Sequence, residues 1–141
     1  MSKTRKRIII LGSTGSIGSS TLDVIRHHPE EYEVVGLAAG ENIGLLSEQI
    51  QEFRPRLAAV KTRTDSLVLQ KKFSKTETDI LAGEAGLLEL VTELEADLVV
   101  SAITGIAGLE PTRAALEAGK NLALANKESM VVAGQFLKKI A

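Results

Sequence analysis

The sequence predicts a protein of the α/β class, with a doubly wound and mostly parallel sheet covered by helices on both faces. Three observations lead to this prediction. Strand-like and helix-like patterns alternate from one end of the 141-residue chain to the other. The strand-like stretches are almost continuously apolar, which is typical of parallel strands buried on both faces. A glycine-rich segment joins the first strand-like stretch to the first helical one.

Short stretches rich in Val, Ile, Leu and Ala are interpreted as the strands of this sheet. Right-handed crossovers between successive parallel strands would wind the chain to both sides of the first strand. The predicted strands are Arg7–Gly12, Tyr32–Ala39, Arg56–Lys61, Thr78–Ala82, Ala96–Ile103 and Asn121–Ala125.

The segments between these strands carry apolar residues at helical spacing. In the first of them, Ile17, Leu22 and Ile25 are predicted to share the buried side, and Pro29 closes the helix. Thr64 or Asp65 is the predicted cap of the third helix. The predicted helices run from Gly15 or Ser16 to about His28, over Asn42–Phe53, Thr64–Ser74 and Gly86–Glu95, from near Pro111 to Ala118, and from about Lys127 or Glu128 onward.

Composition limits the classes of function. Hydrophobic residues make up 44% of the chain, charged residues 25%, and the formal net charge is −1, which gives no indication of a nucleic-acid partner. No apolar run has the roughly 20 residues that span a bilayer, so no membrane is predicted and a cytoplasmic location is expected. Cysteine is absent, which excludes thiolate metal sites, and no metal cluster or catalytic triad is recognised. Residues 1–141 are interpreted as one domain.

The loop after the first strand is the strongest candidate for a binding site. Its glycines, Gly12, Gly15 and Gly18, have the spacing G-x-x-G-x-x-G, close to the dinucleotide fingerprint. Gly12 would allow a tight turn, Gly15 would let a pyrophosphate approach the backbone, and Gly18 would let the helix pack closely on the strand. Unpaired N–H groups of residues 14–17 would face the phosphates. The context favours a Rossmann-like nucleotide site over a purely structural turn.

Hydroxyl groups surround the same loop. Ser13, Thr14 and Ser16 could donate to phosphate oxygens, or could cap the helix that follows. Both roles remain open from the sequence, because a hydroxyl at a helix N-terminus serves either purpose equally well.

The loop after the second strand bears on the choice between NAD and NADP. Glu41 is the first acidic residue after that strand and could bind the ribose hydroxyls, which would favour NAD. Alternatively, Gly40 and Asn42 could offer N–H groups to a 2′-phosphate while Glu41 points away. Arg63, after the third strand, is a possible cation for that phosphate. The local chemistry leaves both cofactors open.

The loop after the last strand gathers an amide, a cation and an acid at one strand end: Asn126, Lys127 and Glu128. One interpretation is an ordinary helix start with a solvated lysine. The other places Lys127 on an anionic substrate and Asn126 or Glu128 near the cofactor ribose, since lysine is a compact cation suited to phosphate or carboxylate oxygens.

Taken together, the motifs "GSTGSIGSSTLDV", "AAGENI" and "LALANKES" resemble the N-terminal NADPH-binding domain of the 1-deoxy-D-xylulose 5-phosphate reductoisomerase family. Their order and spacing match over essentially the whole chain. The resemblance implies an enzyme that rearranges 1-deoxy-D-xylulose 5-phosphate and reduces the product with NADPH to 2-C-methyl-D-erythritol 4-phosphate, in the non-mevalonate route to isoprenoids. It also implies a homodimer and a Mg²⁺ or Mn²⁺ ion.

The resemblance assigns roles by position. Around NADPH it places Thr14, Gly15, Ser16 and Ile17 at the phosphates and ribose, Gly40, Glu41 and Asn42 at the 2′-phosphate, and Asn126 and Glu128 at the nicotinamide. Lys127 would contact the substrate. An acid at position 41 departs from family members that carry a basic residue there. NADPH is nevertheless the expected cofactor.

The resemblance also implies what the chain would lack. The family's metal ligands, phosphate-binding residues and closing flap belong to segments that follow this region. The 141 residues are therefore expected to bind cofactor without catalysing the reaction, and no catalytic or metal-binding residue is assigned. Two alternatives remain: a stand-alone NAD(P)-binding or redox-sensing module, and the nucleotide domain of another reductase.

Overall fold

The described strands and helices alternate along the chain, as the sequence predicts. The computed structural model describes residues 5–103 and 109–124. The strands are β1 (Lys6–Leu11), β2 (Tyr32–Ala38), β3 (Leu57–Val60), β4 (Asp79–Ala82), β5 (Leu98–Ser101) and β6 (Asn121–Leu124). The helices are α1 (Ser16–Arg26), α2 (Ile43–Phe53), α3 (Arg63–Lys72), α4 (Gly83–Glu93) and α5 (Leu109–Glu117).

The six strands form one parallel sheet in the order β4-β3-β2-β1-β5-β6. The chain first moves outward from β1 to β4, and then returns to the other side of β1 to add β5 and β6. The connections that leave β1 and β5 therefore diverge. In open parallel sheets this divergence opens a crevice at the carboxyl ends of the two strands, which is where ligands bind. The fold class is confirmed.

Two apolar layers hold the sheet between its helices. Along β1 the side chains alternate, so Ile8 and Ile10 face one layer while Ile9 and Leu11 face the other. The first layer contains buried residues of α1, α2 and α3, and the second contains those of α4 and α5. Because β1 is buried on both faces, its apolar run has no polar alternation, which is why the sequence predicts it well.

Several predicted boundaries are wrong by a few residues. β5 is shorter than the predicted Ala96–Ile103. α3 begins earlier than predicted, because Thr62 is its cap and accepts a hydrogen bond from the Asp65 N–H at 3.2 Å. α4 begins at Gly83, three residues before the predicted start at Gly86. A Cβ on Gly86 would lie 2.9 Å from the Leu81 Cβ, so glycine is needed there for close packing.

α1 and α2 are joined at their carboxyl ends by a two-pronged ion pair. The Arg26 guanidinium donates to both carboxylate oxygens of Glu52, at 2.5 and 2.8 Å, and lies 5.5 Å from the centre of the Phe53 ring. The hydrogen bonds from Arg26 lower the pKa of the Glu52 carboxyl below its ordinary value. The contribution of this pair to stability therefore depends on pH.

Stability should fall in acid through this pair. A lowered pKa in the folded state stabilises the protein above the ordinary value of 4.5, and this contribution disappears as pH falls through the folded-state pKa. At pH 7 we expect Glu52→Gln to reduce the free energy of unfolding by under about 1 kcal/mol, since the pair is half-exposed. Below pH 4.5 the difference from wild type should shrink.

Urea unfolding at pH 7, 4.5 and 3 measures this difference. Glu48→Gln removes an exposed glutamate one turn earlier on α2 and is the matched control. A constant gap between wild type and Glu52→Gln across the three pH values would contradict the assignment.

Candidate functional site

The segment GSTGSIG (residues 12–18) leaves β1 at the crevice between β1 and β5, and we call it the glycine loop. Its start is fastened to the neighbouring strand, since the N–H groups of Gly12 and Ser13 both donate to the Ala38 carbonyl, at 2.8 and 2.9 Å. On the other side, the Ala102 N–H donates to the Leu11 carbonyl at 2.8 Å. Backbone hydrogen bonds to both neighbouring strands therefore fix the start of the loop.

Glycine stands at each of the three positions of the loop for a different physical reason. Gly12 has φ +82°, and a Cβ there would lie 2.8 Å from the Ala102 carbonyl oxygen. At Gly18 a Cβ would lie 2.2 Å from the Gly12 carbonyl oxygen, so the first turn of α1 touches the strand end directly. Gly15 is exposed, and the nearest atom to its Cβ position is 3.6 Å away. The predicted turn at Gly12 and close packing at Gly18 are confirmed.

The N-terminus of α1 is open. Gly15 is its cap residue, with φ −76° and ψ 172°, and no side chain caps the helix. The Gly15 N–H donates to the Gly12 carbonyl at 3.2 Å, so the expectation that all four N–H groups of residues 14–17 are unpaired is wrong at that one position. Those of Thr14, Ser16 and Ile17 make no hydrogen bond within the part of the chain that the structure describes.

Three N–H groups that have no partner among the described residues, at a helix N-terminus, can bind an anion. They carry the positive end of the helix dipole, which favours a nearby negative charge by about 0.3–2 kcal/mol. Gly15 leaves room for a phosphate to reach the backbone, because no Cβ covers it. This part of the site fits the pyrophosphate of a dinucleotide such as NADPH.

The side chains of the loop differ from the prediction at two places. Ser13 is wholly buried, and its Oγ has no hydrogen-bond partner among the described residues, so it neither caps α1 nor faces the crevice. Ile17 is 48% exposed, although it was predicted on the buried side of α1. Gly18 occupies the buried position instead, because α1 lies too close to Gly12 for any side chain there. Thr14 and Ser16 remain accessible.

Gln49 of α2 forms a hydrogen bond to the glycine loop. The sequence prediction missed this residue. Its side chain is 5% exposed, and its Nε2 donates to the Ser13 carbonyl at 2.9 Å. The Ser19 Oγ donates to the same carbonyl at 3.4 Å. A signal was available, because Gln49 lies at helical spacing from Leu46 and Phe53 on the predicted apolar face of this helix.

The loop after β2, which we call the second loop, offers backbone groups and contains one half of an ion pair. A Cβ on Gly40 would meet nothing within 4 Å. The Asn42 Oδ1 caps α2 by accepting from the Leu45 N–H at 3.2 Å, so its side chain is committed to the helix. The exposed Glu41 carboxylate lies 3.6 Å from the Nζ of Lys61, which follows β3. Lys61 was missed by the sequence prediction.

The cation predicted for this loop was Arg63. The structure places Arg63 as the first residue of α3, where it lines a shallow groove with Gly83, the first residue of α4. No ion pair joins it to Glu41 within residues 5–103 and 109–124. Lys61 is therefore the cation that the fold brings to the second loop.

The remaining predicted residues, Asn126, Lys127 and Glu128, lie outside the described residues. Within the described residues no group of three or more His, Cys, Asp or Glu side chains could hold a metal ion. These residues thus do not fit a divalent metal site. No helix of the described part is long and apolar enough to cross a membrane.

Comparison with known proteins identifies the family. The model of the family described as 1-deoxy-D-xylulose 5-phosphate reductoisomerase matches residues 8–134. The chain belongs to the 1-deoxy-D-xylulose 5-phosphate reductoisomerase family. The reductoisomerase of Geotalea daltonii is 49% identical over 132 residues, which is 94% of this chain and 34% of that protein. That of a Thermoanaerobacter species is 52% identical, with the same coverage.

Solved reductoisomerases share the fold. A structure from Zymomonas mobilis in complex with NADPH has a TM-score of 0.86 and 35% identity, covering 94% of this chain and 35% of that one. Another, in complex with NADPH, fosmidomycin and magnesium, has a TM-score of 0.86 and 40% identity, covering 95% and 33%. The chain spans about a third of the length of the relatives it matches.

The loop geometry predicts opposite results for two glycine substitutions. Gly18→Ala places a methyl group against the Gly12 carbonyl and should lower the free energy of unfolding by about 2–3 kcal/mol. Gly15→Ala makes only an ordinary contact, 3.6 Å from the Gly12 carbonyl oxygen, at an allowed backbone conformation, and should change the free energy of unfolding by less than about 1 kcal/mol. Chemical denaturation of both variants measures the contrast, and equal losses would contradict this account of the loop.

Proposed function

We propose that this chain forms the NADPH-binding part of a 1-deoxy-D-xylulose 5-phosphate reductoisomerase. The observation that carries the proposal is the open N-terminus of α1, with three free N–H groups beside an uncovered Gly15, at the point where the strand order reverses. Family membership supports it, as do the NADPH complexes of the related structures.

In this proposal the glycine loop holds the cofactor phosphates. The N–H groups of Thr14, Ser16 and Ile17 donate to phosphate oxygens, and Gly15 allows the approach. NADPH, when bound, supplies the hydride that reduces the rearranged substrate. The loop itself binds and orients the cofactor.

The second loop is proposed to bind the adenosine end of the cofactor. Gly40 and Asn42 would offer backbone N–H groups to the cofactor's 2′-phosphate, while the Asn42 side chain caps α2. Lys61 supplies the positive charge for the 2′-phosphate, and Glu41 competes with that phosphate for the same ammonium group. This arrangement reconciles an acidic residue at position 41 with a preference for NADPH.

Further roles rest on family membership alone. Asn126 and Glu128 are proposed at the nicotinamide side and Lys127 at the substrate, 1-deoxy-D-xylulose 5-phosphate. The whole protein is proposed to be a cytoplasmic homodimer that uses Mg²⁺ or Mn²⁺ and makes 2-C-methyl-D-erythritol 4-phosphate for isoprenoid synthesis. The metal ligands would lie outside the described residues, since those residues have no suitable cluster.

Calorimetric titration tests the proposal directly. NADPH and NADP⁺ should bind the full chain, and Gly15→Val should weaken NADPH binding by at least tenfold (about 1.4 kcal/mol), because its side chain covers the anion site. The same variant should unfold at a denaturant concentration close to that of Gly15→Ala, since the Cβ position is open. Absence of binding by the wild-type chain would remove the proposed function.

The preference between cofactors should depend on the ion pair in the second loop. We expect Lys61→Ala to weaken NADPH about fivefold, near 1 kcal/mol, while leaving NADH unchanged, since only NADPH has a 2′-phosphate. Glu41→Gln should strengthen NADPH by a similar factor, because it frees Lys61. Titration of both cofactors at one fixed salt concentration measures the ratio.

Arg63→Ala is the matched control for this pair, since it removes a cation that the fold places elsewhere. A larger loss of NADPH affinity in Arg63→Ala than in Lys61→Ala would reverse the assignment.

A further inference from the structure

Gln49 occupies an unusual place for an amide. It projects from the buried face of α2, between the wholly buried Leu46 and Ile50, and its Nε2 donates to the Ser13 carbonyl at 2.9 Å across 36 residues of sequence. Its other polar atom, Oε1, is buried without a hydrogen-bond partner in the described part of the chain, as is the Ser13 Oγ. A methionine of similar length would fill this space without leaving an oxygen unpaired. The hydrogen bond to the loop is therefore what the glutamine adds.

That hydrogen bond acts on more than the Ser13 carbonyl. The carbonyl of Ser13 and the N–H of Thr14 belong to one peptide unit, which is planar and trans. In a trans unit these two groups point in opposite directions. Because Gln49 holds the carbonyl toward α2, the Thr14 N–H must point away from α2. This N–H is one of the three free donors of the glycine loop.

The preceding peptide, between Gly12 and Ser13, does not set the orientation of the Thr14 N–H. The Ser13 N–H is fixed to the Ala38 carbonyl of β2, which sets the start of the loop. Beyond Ser13, the next backbone hydrogen bond of the loop is that of Gly15 to Gly12, at 3.2 Å. The peptide between Ser13 and Thr14 is thus held by side chains, with Gln49 at 2.9 Å and Ser19 at 3.4 Å.

We propose that Gln49 is a positioning residue for the cofactor, which holds the Ser13–Thr14 peptide so that the Thr14 N–H faces the phosphates. The proposal rests on the proposed function and deepens it. It also links the two ends of the cofactor site, because α2 begins at the second loop with Asn42 as its cap and reaches the glycine loop through Gln49.

Two variants of the full chain test it. Gln49→Met removes the donor and keeps the length, and Gln49→Glu, in its ionised form, replaces the donor by an acceptor that repels the Ser13 carbonyl. Gln70→Met is the control, since the more exposed Gln70 also donates its Nε2 to a backbone carbonyl, that of Ile80 in β4 at 3.1 Å, away from the loop. All are studied under conditions in which unfolding curves show them to be folded.

The first measurement needs no cofactor. The amide proton shift and hydrogen-exchange rate of Thr14 should change in Gln49→Met, change further in Gln49→Glu, and stay at wild-type values in Gln70→Met. A purely structural role of Gln49 would lower stability without a selective change at Thr14. Unchanged Thr14 signals in Gln49→Met would overturn the proposal, whether or not the chain binds NADPH.

The second measurement is the NADPH dissociation constant. It should rise about tenfold in Gln49→Met and more in Gln49→Glu, and stay within about twofold of wild type in Gln70→Met. If wild type binds and Gln49→Met binds equally well, Gln49 does not position the cofactor. If wild type fails to bind, the proposed function fails, and the Thr14 signals alone still decide whether Gln49 orients the peptide.

Discussion

The contact between the first turn of α1 and the end of β1 is the constraint on which the site depends. A Cβ at Gly18 would lie 2.2 Å from the Gly12 carbonyl oxygen, so the helix can start there only with glycine at that position. This approach turns the start of α1 into the crevice between β1 and β5. It also explains why Ile17 points outward, because the inward position of that turn has no space for a side chain.

Much of the fold could be predicted because its strongest signals are local. Strands such as β1 are buried on both faces and read as continuous apolar runs, which no surface strand would do. Boundaries were less predictable, because tertiary contacts decide them. Gly86 is predicted as the first residue of its helix, yet it lies inside α4, where a Cβ would lie 2.9 Å from the Leu81 Cβ. That contact joins a helix and a strand, and helical periodicity does not reveal it.

The site divides in the same way. The glycine loop has a recognisable spacing, and the physical roles of Gly12 and Gly18 follow from strand–loop–helix geometry alone. The pairing of Glu41 with Lys61 depends instead on β2 and β3 being neighbours, and the sequence offers two nearby cations without saying which one the sheet brings close. Gln49 is an intermediate case: its helical face was predictable, but its partner, 36 residues away, was not.

The chemistry of the anion site makes these supporting contacts matter. Residues 12–18 contain no lysine or arginine, so in the proposed site this loop would bind phosphate through its backbone N–H groups, assisted by the hydroxyls of Thr14 and Ser16. A lysine side chain can rotate to follow an anion, whereas a peptide N–H acts only in the direction that its peptide plane gives it. A site made of backbone donors therefore needs other contacts that fix the orientation of each peptide unit. Ala38 and Gln49 do this at the start of the loop, and the close approach of Gly18 does it at the end. The Gln49 Oε1 is buried without a hydrogen-bond partner among the described residues, which costs about 1–3 kcal/mol, so the glutamine at this position is explained by its hydrogen bond to the Ser13 carbonyl and not by packing.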